Sequence, residues 1–425
     1  MALQIINYLS VFIVFSGGFI WIRPGMNLRG SYLILAPLLI FFVLGLRKVY
    51  INKGFLIIML ILTVSASYNI SIGKNTLVLL LKQIIGIGSS AIFFYILMRI
   101  NKGNIERLLK IYLNLAVFIG MVGLFQEFSY IIGFKLGYDY SFLPSWRLYR
   151  LNDFLLKINS IISEPAAFCY VMMPAFFIAI TGLTGAKYKF LSKWKSGIII
   201  LSVMLSFSAT GYIGILTSIF LVFYNYGKIK SLIHGIVIMM LFGGFFYTRV
   251  DSIKLRVDDS VGVLSGKQTL YAANPSTFVL YSHALIAYRS FKENPLFGSG
   301  LGSHLISYNK FIGEVINTEK RTTFLNMEDA NSLFLRLLSE TGIVGLAMFF
   351  YFIFKFHIFR KNDPSGYLWV INNAILVMFM IRLVRSGHYF NGGLFFFVWM
   401  YYFSSKIASA KSLRQDIHSQ IEIIK

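Results

Sequence analysis

Asn331-Ser-Leu-Phe-Leu-Arg-Leu-Leu-Ser-Glu-Thr-Gly-Ile-Val-Gly345 decides the reading of this chain, because it turns from a polar stretch directly into an apolar helix. A second glycine-marked segment, Glu293-Asn-Pro-Leu-Phe-Gly-Ser-Gly-Leu-Gly302, precedes it. The two segments close residues 249–330, a long polar interval that holds eight of the 17 acidic residues. A chain that keeps one large, charge-balanced loop among hydrophobic runs is expected to do its chemistry there.

The surroundings of that interval set the class. With 57% hydrophobic and 13% charged residues, the 425-residue chain is too poor in charge to cover a water-exposed surface, and it reads as a polytopic membrane protein. The net charge of +23 comes from cations in short clusters between apolar runs, as expected where Lys and Arg hold loops against anionic lipid, and it does not indicate nucleic acid. Cys169 stands alone, so no intrachain disulfide or thiolate metal site forms.

Apolar runs fall near 2–22, 31–46, 54–71, 76–98, 108–133, 161–183, 197–210, 212–226, 230–248, 331–354, 367–384 and 391–405. The first lacks a basic flank and a small-residue cleavage site, so it is expected to be a retained span. Residues 197–226 read as a helical hairpin turning near Ser208-Ala-Thr-Gly211, which makes twelve spans. The expected organisation is all-α: helices 1–9 in residues 1–248, a large extracytoplasmic loop at 249–330, helices 10–12 in 331–405, and a basic cytoplasmic tail at 406–425.

Charge orients this arrangement. Arg47-Lys48 with Lys53, Arg99 to Lys110, Lys187 to Lys195, Lys228 and Lys230, Lys355 to Lys361 and the tail fall on one side, the cytoplasm. The 249–330 loop carries nine cations against eight acids, a net +1, which leaves +22 elsewhere.

The two glycine-marked segments, with the late position of the loop, resemble the O-antigen ligase and Wzy-type polysaccharide polymerase superfamily. The resemblance is close over about 60 residues and loose over most of the rest. Ligases of the family carry a His, a small polar residue, nine residues, then Gly-x-x-Gly. Counting back from Gly342 and Gly345 places Ser332 at the small polar position and Asn331 at the histidine. Asparagine is no base, so the departure favours the polymerase branch. A family pattern of Arg with Gly eleven positions on is met by Arg289 and Gly300. Its counterpart in the earlier outer loop is not met by Arg147 or Arg150, although both stay candidates for substrate binding.

The resemblance implies a GT-C-like membrane glycosyltransferase without cofactor or metal. Such an enzyme moves a glycan from a polyprenyl diphosphate to a sugar hydroxyl on a second lipid-linked repeat. It would act in a bacterial inner membrane, facing outward, with a flippase and a chain-length regulator as partners. Guanidinium groups are the natural stabilisers of the leaving diphosphate. Arg289 is expected in that role. Arg382 and Arg385 end an apolar run and are expected on one helix face, continued by His388 and Tyr389. Glu164, opening a span in Ile-Ser-Glu-Pro-Ala-Ala-Phe, resembles the Ser-Glu-Pro segment of many polymerases and is the leading candidate base. Its position equally suits an acid complementing a helix dipole. Glu328 and Asp329 compete for the role of base.

Other residues carry weaker expectations. His283 and His304 read as solvated loop histidines, with an acid–base role less favoured. Lys82 and Glu127 lie inside spans and suit a bridge within the bundle. Tyr271, Tyr281, Tyr288, Phe291 and Tyr308 suit a small loop core, or faces for sugar rings. The competing functions are O-antigen ligase, lipid-linked oligosaccharide flippase and secondary transporter. The 80-residue loop argues against a flippase, and the lack of matched broken helices argues against a transporter.

Overall fold

The structure is a computed structural model that describes residues 2–23, 26–45, 51–185, 188–227, 229–316, 326–363 and 365–424. Arg47, Lys48, Lys187, Lys228, Glu319, Lys320 and Arg321 lie outside the described residues. Helices make up most of the described chain, which also has a short antiparallel hairpin of β1 (Ile20–Arg23) and β2 (Met26–Arg29) and a long non-helical connection at 139–164.

All twelve apolar runs form helices. The first five are α1 (Ala2–Ser16), α2 (Gly30–Gly45), α3 (Lys53–Ser71), α4 (Leu77–Ile100) and α5 (Ile105–Ile131). After the short α6 (Lys135–Tyr138) come α7 (Pro165–Leu183), α8 (Lys193–Met204), α9 (Ala209–Asn225) and α10 (Ile229–Arg249). The polar interval folds as α11 (Asp251–Leu264), α12 (Pro275–Glu293) and α13 (His304–Val315), and the chain closes with α14 (Leu333–Phe356), α15 (Leu368–Val384) and α16 (Leu394–Ile424).

Helix length qualifies the expected count of twelve crossings. Among the described residues, α3, α4, α5, α7 and α14 are long and apolar enough to cross a membrane. A sixth span arises if the 99° bend between Ile233–Arg249 and Ile253–Leu264 lies within one element. Helices α1, α2, α9 and α15 are shorter. The expected turn within 197–226 is present: α8 ends, Phe207 takes φ 43°, and α9 begins after Ser208. The first run is helical only to Ser16, and the hairpin follows.

Local chemistry sets the helix starts. Asn52, Thr76, Asn104 and Ser332 each place a side-chain oxygen on a main-chain N–H of the first turn, satisfying a donor the helix leaves open. The core lies between α4, α5, α7, α15 and α16, where Phe94, Tyr112, Phe177, Trp369 and Phe397 are fully buried.

The bundle has two unlike ends. At one, Tyr188 Oη donates to Glu106 Oε1 (2.8 Å), Tyr226 Oη donates to the Thr184 carbonyl (2.7 Å), and the Arg360 amide donates to Asn225 Oδ1 (3.0 Å). These contacts gather several of the basic turns. At the other end, where α4, α7 and α14 begin and α15 finishes, the 251–315 helices dock. Helices α12 and α13 pack on each other and on α14.

Candidate functional site

The two glycine-marked segments are bound to each other through their backbones. The Ser299 and Gly300 amides donate to the Ser339 and Glu340 carbonyls (3.0 and 2.8 Å), and the Ile343 and Val344 amides donate to the Pro295 and Leu296 carbonyls (2.9 and 3.0 Å). Helix α14 gives up its own hydrogen bonding at Gly342 (φ 60°, ψ −156°) to accept this partner. A Cβ at Gly342 would lie 2.6 Å from the Leu296 carbonyl oxygen, and one at Gly298 would lie 2.4 Å from the Thr341 nitrogen. Glycine is therefore required by both conformation and close approach. Gly300, expected near substrate, is instead packed against Ala66 and Asn75.

Beneath that joint lies a buried ion pair. Arg336 Nε donates to Glu340 Oε1 at 2.9 Å, with the two side chains 2% and 0% exposed. Glu340 also accepts from Tyr389 Oη (2.8 Å) and from the Gly302 and His304 amides (2.9 and 3.3 Å). The Arg336 guanidinium lies 4.2 Å over the Tyr389 ring and donates to the Gly387 carbonyl (3.1 Å). Tyr389 is thus a buried support. His283 and His304 are buried too, 3.0 Å apart, and His304 Nδ1 lies 2.8 Å from Ser339 Oγ, which corrects the expectation of solvated histidines. Burial holds the His304 imidazole well below its usual range.

The α15–α16 connection brings the next layer into place. Helix α15 ends at Val384, and Arg385 has extended backbone, so Arg382 and Arg385 do not share a helix face. Arg382 is 2% exposed and donates to the His388 (3.1 Å) and Asn391 carbonyls, clamping the connection. Arg385 turns outward, with Nη2 3.4 Å from the Ser276 carbonyl at the start of α12. Gly387 lies so close to Asp329 that no Cβ fits there. Ser332 Oγ donates to the Leu383 carbonyl (2.6 Å), and the Ser386 amide donates to the Asn331 carbonyl (2.9 Å).

Asp329, His388, Arg29 and Asn331 meet at this junction. Asp329 Oδ2 lies 3.0 Å from His388 Nε2, and the Asn331 amide donates to Asp329 Oδ1 (3.0 Å). Arg29 Nη2 is 3.2 Å from the same Nε2. The imidazole tautomer selects between them: donation to Asp329 needs Nε2–H, and acceptance from Arg29 needs it bare. Burial opposes ionisation of Asp329, but His388, the Asn331 amide and Arg336 outweigh it and hold the carboxyl well below the usual range. Burial lowers the proton affinity of His388, against the pull of Asp329. Asn331 has φ 56°, its Oδ1 accepts from Asn326 (3.0 Å), and its buried Nδ2 has no partner among the described residues.

Glu164 is the N-terminal flank of α7, with Pro165 behind it, and its side chain caps no amide. Solvent reaches the carboxyl, yet protein surrounds it on most sides. Its proton affinity is raised, first by that burial and then by Asp329, while Arg147 and Arg385 act in the opposite direction. Arg385 in turn presses on Arg256, and Arg256 presses on Lys157. The result is a cationic rim in which Arg29, Arg147 and Arg385 act on Glu164 or Asp329, and Arg256 and Lys157 follow in turn behind Arg385.

The remaining expected residues sit elsewhere. Arg289 is exposed on α12 and pairs with Glu314 at 3.5 Å. Arg150 is exposed, its backbone bridged to Leu156. Lys82 pairs with Glu328 (2.7 Å), whereas Glu127 accepts from the Leu156 amide (3.2 Å), so the expected Lys82–Glu127 bridge is replaced by two separate contacts. Among the described residues, no three His, Cys, Asp or Glu side chains converge as metal ligands. Sequence reasoning passed over Arg29, Arg256 and Lys157 as rim residues. Arg29 had left a signal, as a cation placed against the charge rule just before α2.

Residues 196–350 match the family model described as O-antigen ligase. Over that stretch the chain resembles a domain of the O-antigen ligase superfamily. That domain runs from α8 into α14 and includes Arg256, Asp329, Asn331 and both glycine-marked segments. Glu164, Arg147, Arg385 and His388 lie outside it, so the rim is completed by elements on either side. No curated protein matches the chain. The family match and the apolar helices together indicate a multi-pass membrane protein with O-antigen ligase- or polymerase-type function.

Proposed function

We propose that the protein polymerises lipid-linked oligosaccharide repeats, transferring a glycan from a polyprenyl diphosphate to a sugar hydroxyl of a second lipid-linked repeat. The observation that carries this reading is that three guanidinium groups, Arg29, Arg147 and Arg385, act on Glu164 or Asp329, with a fourth, Arg256, beside Arg385. In the proposed step the acceptor oxygen bonds to the anomeric carbon, and the bond from that carbon to the phosphate oxygen breaks. The electron pair leaves on the diphosphate, where fork-shaped cations stabilise it. The hydroxyl proton passes to Glu164, whose raised proton affinity makes it a better acceptor than an ordinary carboxylate. Arg382 supports the rim by fixing 388–391. Arg289 would meet substrate only at the outer face of α12. The rim faces outward from a bacterial inner membrane in this reading, because the basic turns gather at the opposite end.

A specific observation favours a second reading, O-antigen ligase. His388 stands beside Asp329 in the same cluster as Asn331, so a histidine reaches this region from another segment. A strain lacking the gene, complemented with wild type or with Arg385→Ala, tests the first reading. Polymerase function predicts long surface glycan from wild type and accumulated single lipid-linked repeats from the variant. Full-length polymer left unattached to its acceptor would identify a ligase.

A further inference from the structure

We propose that the cleft between α3, α14 and α16 binds an anionic phospholipid of the leaflet at the basic end of the bundle. The cleft has a volume of about 880 Å³, and its walls are apolar, with Phe55, Leu62, Phe349, Phe352, Phe395 and Trp399 among them. Walls of this kind suit acyl chains. Its charge is confined to one mouth, where Lys53 from the first turn of α3, Lys355 from the last turn of α14 and Lys406 from α16 all line it. All three are exposed, and among the described residues none is paired with a carboxylate.

The ammonium groups are held by aromatic residues. Lys355 Nζ donates to Tyr351 Oη at 2.9 Å, and Lys406 Nζ lies 5.8 Å from the Tyr402 ring centre. Both lie 5.9 Å from the centre of the Phe356 ring, so two cations meet at one ring. Converging unpaired cations above an apolar slot match a phosphate headgroup with its chains below.

The distribution of charge also says which lipid. A polyprenyl diphosphate acted on at the rim would place its head at the far end of the cleft. There the lining is Leu301, Leu333 and Tyr389, with no cation. The headgroup site is at the opposite mouth, and this inference stands whether or not the glycan reading holds.

The test uses the full chain in nanodiscs of mixed phosphatidylglycerol and phosphatidylcholine, with native mass spectrometry counting the lipid retained after release. Wild type should retain phosphatidylglycerol in preference to phosphatidylcholine. Lys53→Ala/Lys355→Ala/Lys406→Ala should weaken that preference on the order of 100-fold, whereas the triple Arg variant keeps it. Leu62→Trp, which fills the slot and leaves the lysines intact, should also release the lipid. Equal retention of the two lipids by wild type overturns the proposal, as does an unchanged preference in the triple Ala variant. So does displacement of phosphatidylglycerol by undecaprenyl phosphate with the same potency in wild type and triple Ala, because the cleft would then be a tail site for the prenyl lipid.

Discussion

Glu340→Gln is expected to destabilise the protein more than any single change at the rim. The carboxylate is fully buried and accepts from Arg336 Nε, Tyr389 Oη and the Gly302 and His304 amides. The amide removes the charge that compensates Arg336, which is itself 2% exposed and, among the described residues, otherwise donates only to the Gly387 carbonyl. Breaking one side of a buried pair costs about 3–5 kcal/mol, a factor of roughly 100 to several thousand in the folding equilibrium. The double variant Arg336→Met/Glu340→Leu removes both charges and leaves two amides and the Tyr389 hydroxyl without their acceptor at about 1 kcal/mol each, so its cost should be about 3 kcal/mol, the low end of the single variant's range. The measurement is the denaturant midpoint of the detergent-purified protein for wild type, single and double variants. The reasoning is refuted if Glu340→Gln unfolds with the wild-type midpoint, or if the double variant is less stable than the single.

Arg385→Ala should lower polymer formation by about 10- to 100-fold while Arg289→Ala lowers it less, read as glycan length on a gel; the reverse order would move the diphosphate to α12. Glu164→Gln should cost on the order of 100- to 10,000-fold in rate. Wild-type activity should rise with pH through a value above the ordinary 4.5, because a base works only when ionised. Because that raised affinity makes ionisation costly in the fold, stability should fall as pH rises above about 4.5, and Glu164→Gln should flatten the fall; a profile shared by the two proteins removes Glu164 from the mechanism. Asn331→Ala should keep measurable polymerisation and His388→Ala should not, in the same gel assay. Gly342→Ala should cost about 1–3 kcal/mol from its positive φ alone, measured as a lowered thermal midpoint.

The helices were legible because apolar runs between capping residues specify them locally, and Ser332 shows this well: the small polar residue found by counting from Gly342 caps α14. The glycines were legible as markers, though their reason, two backbones in contact, is tertiary. Rim residues were legible where a resemblance marked them, as with Glu164, or where a charge stood out of its local pattern. Arg385 stood out against the charge pattern and is in the rim, whereas Arg289 stood out by spacing and lies on the surface. Arg256 and Lys157 sit in ordinary polar stretches, and only the docking of α11 gives them neighbours in the rim. The Arg382 clamp was hidden for a different reason, since its partners are carbonyls, which no sequence pattern displays.

The stitching of 295–300 to 339–344 has a mechanical consequence. Four amide–carbonyl links with no side chain between them make the end of the polar domain and the bend in α14 one stiff piece, so this edge cannot swing as a flap. In the proposed polymerase, lipid-linked substrates would then reach the rim sideways from the bilayer, and product strands would be extruded past a fixed wall. Amide exchange at Ser299, Gly300, Ile343 and Val344 should accordingly be as slow as in the deepest helices, with turnover leaving it unchanged.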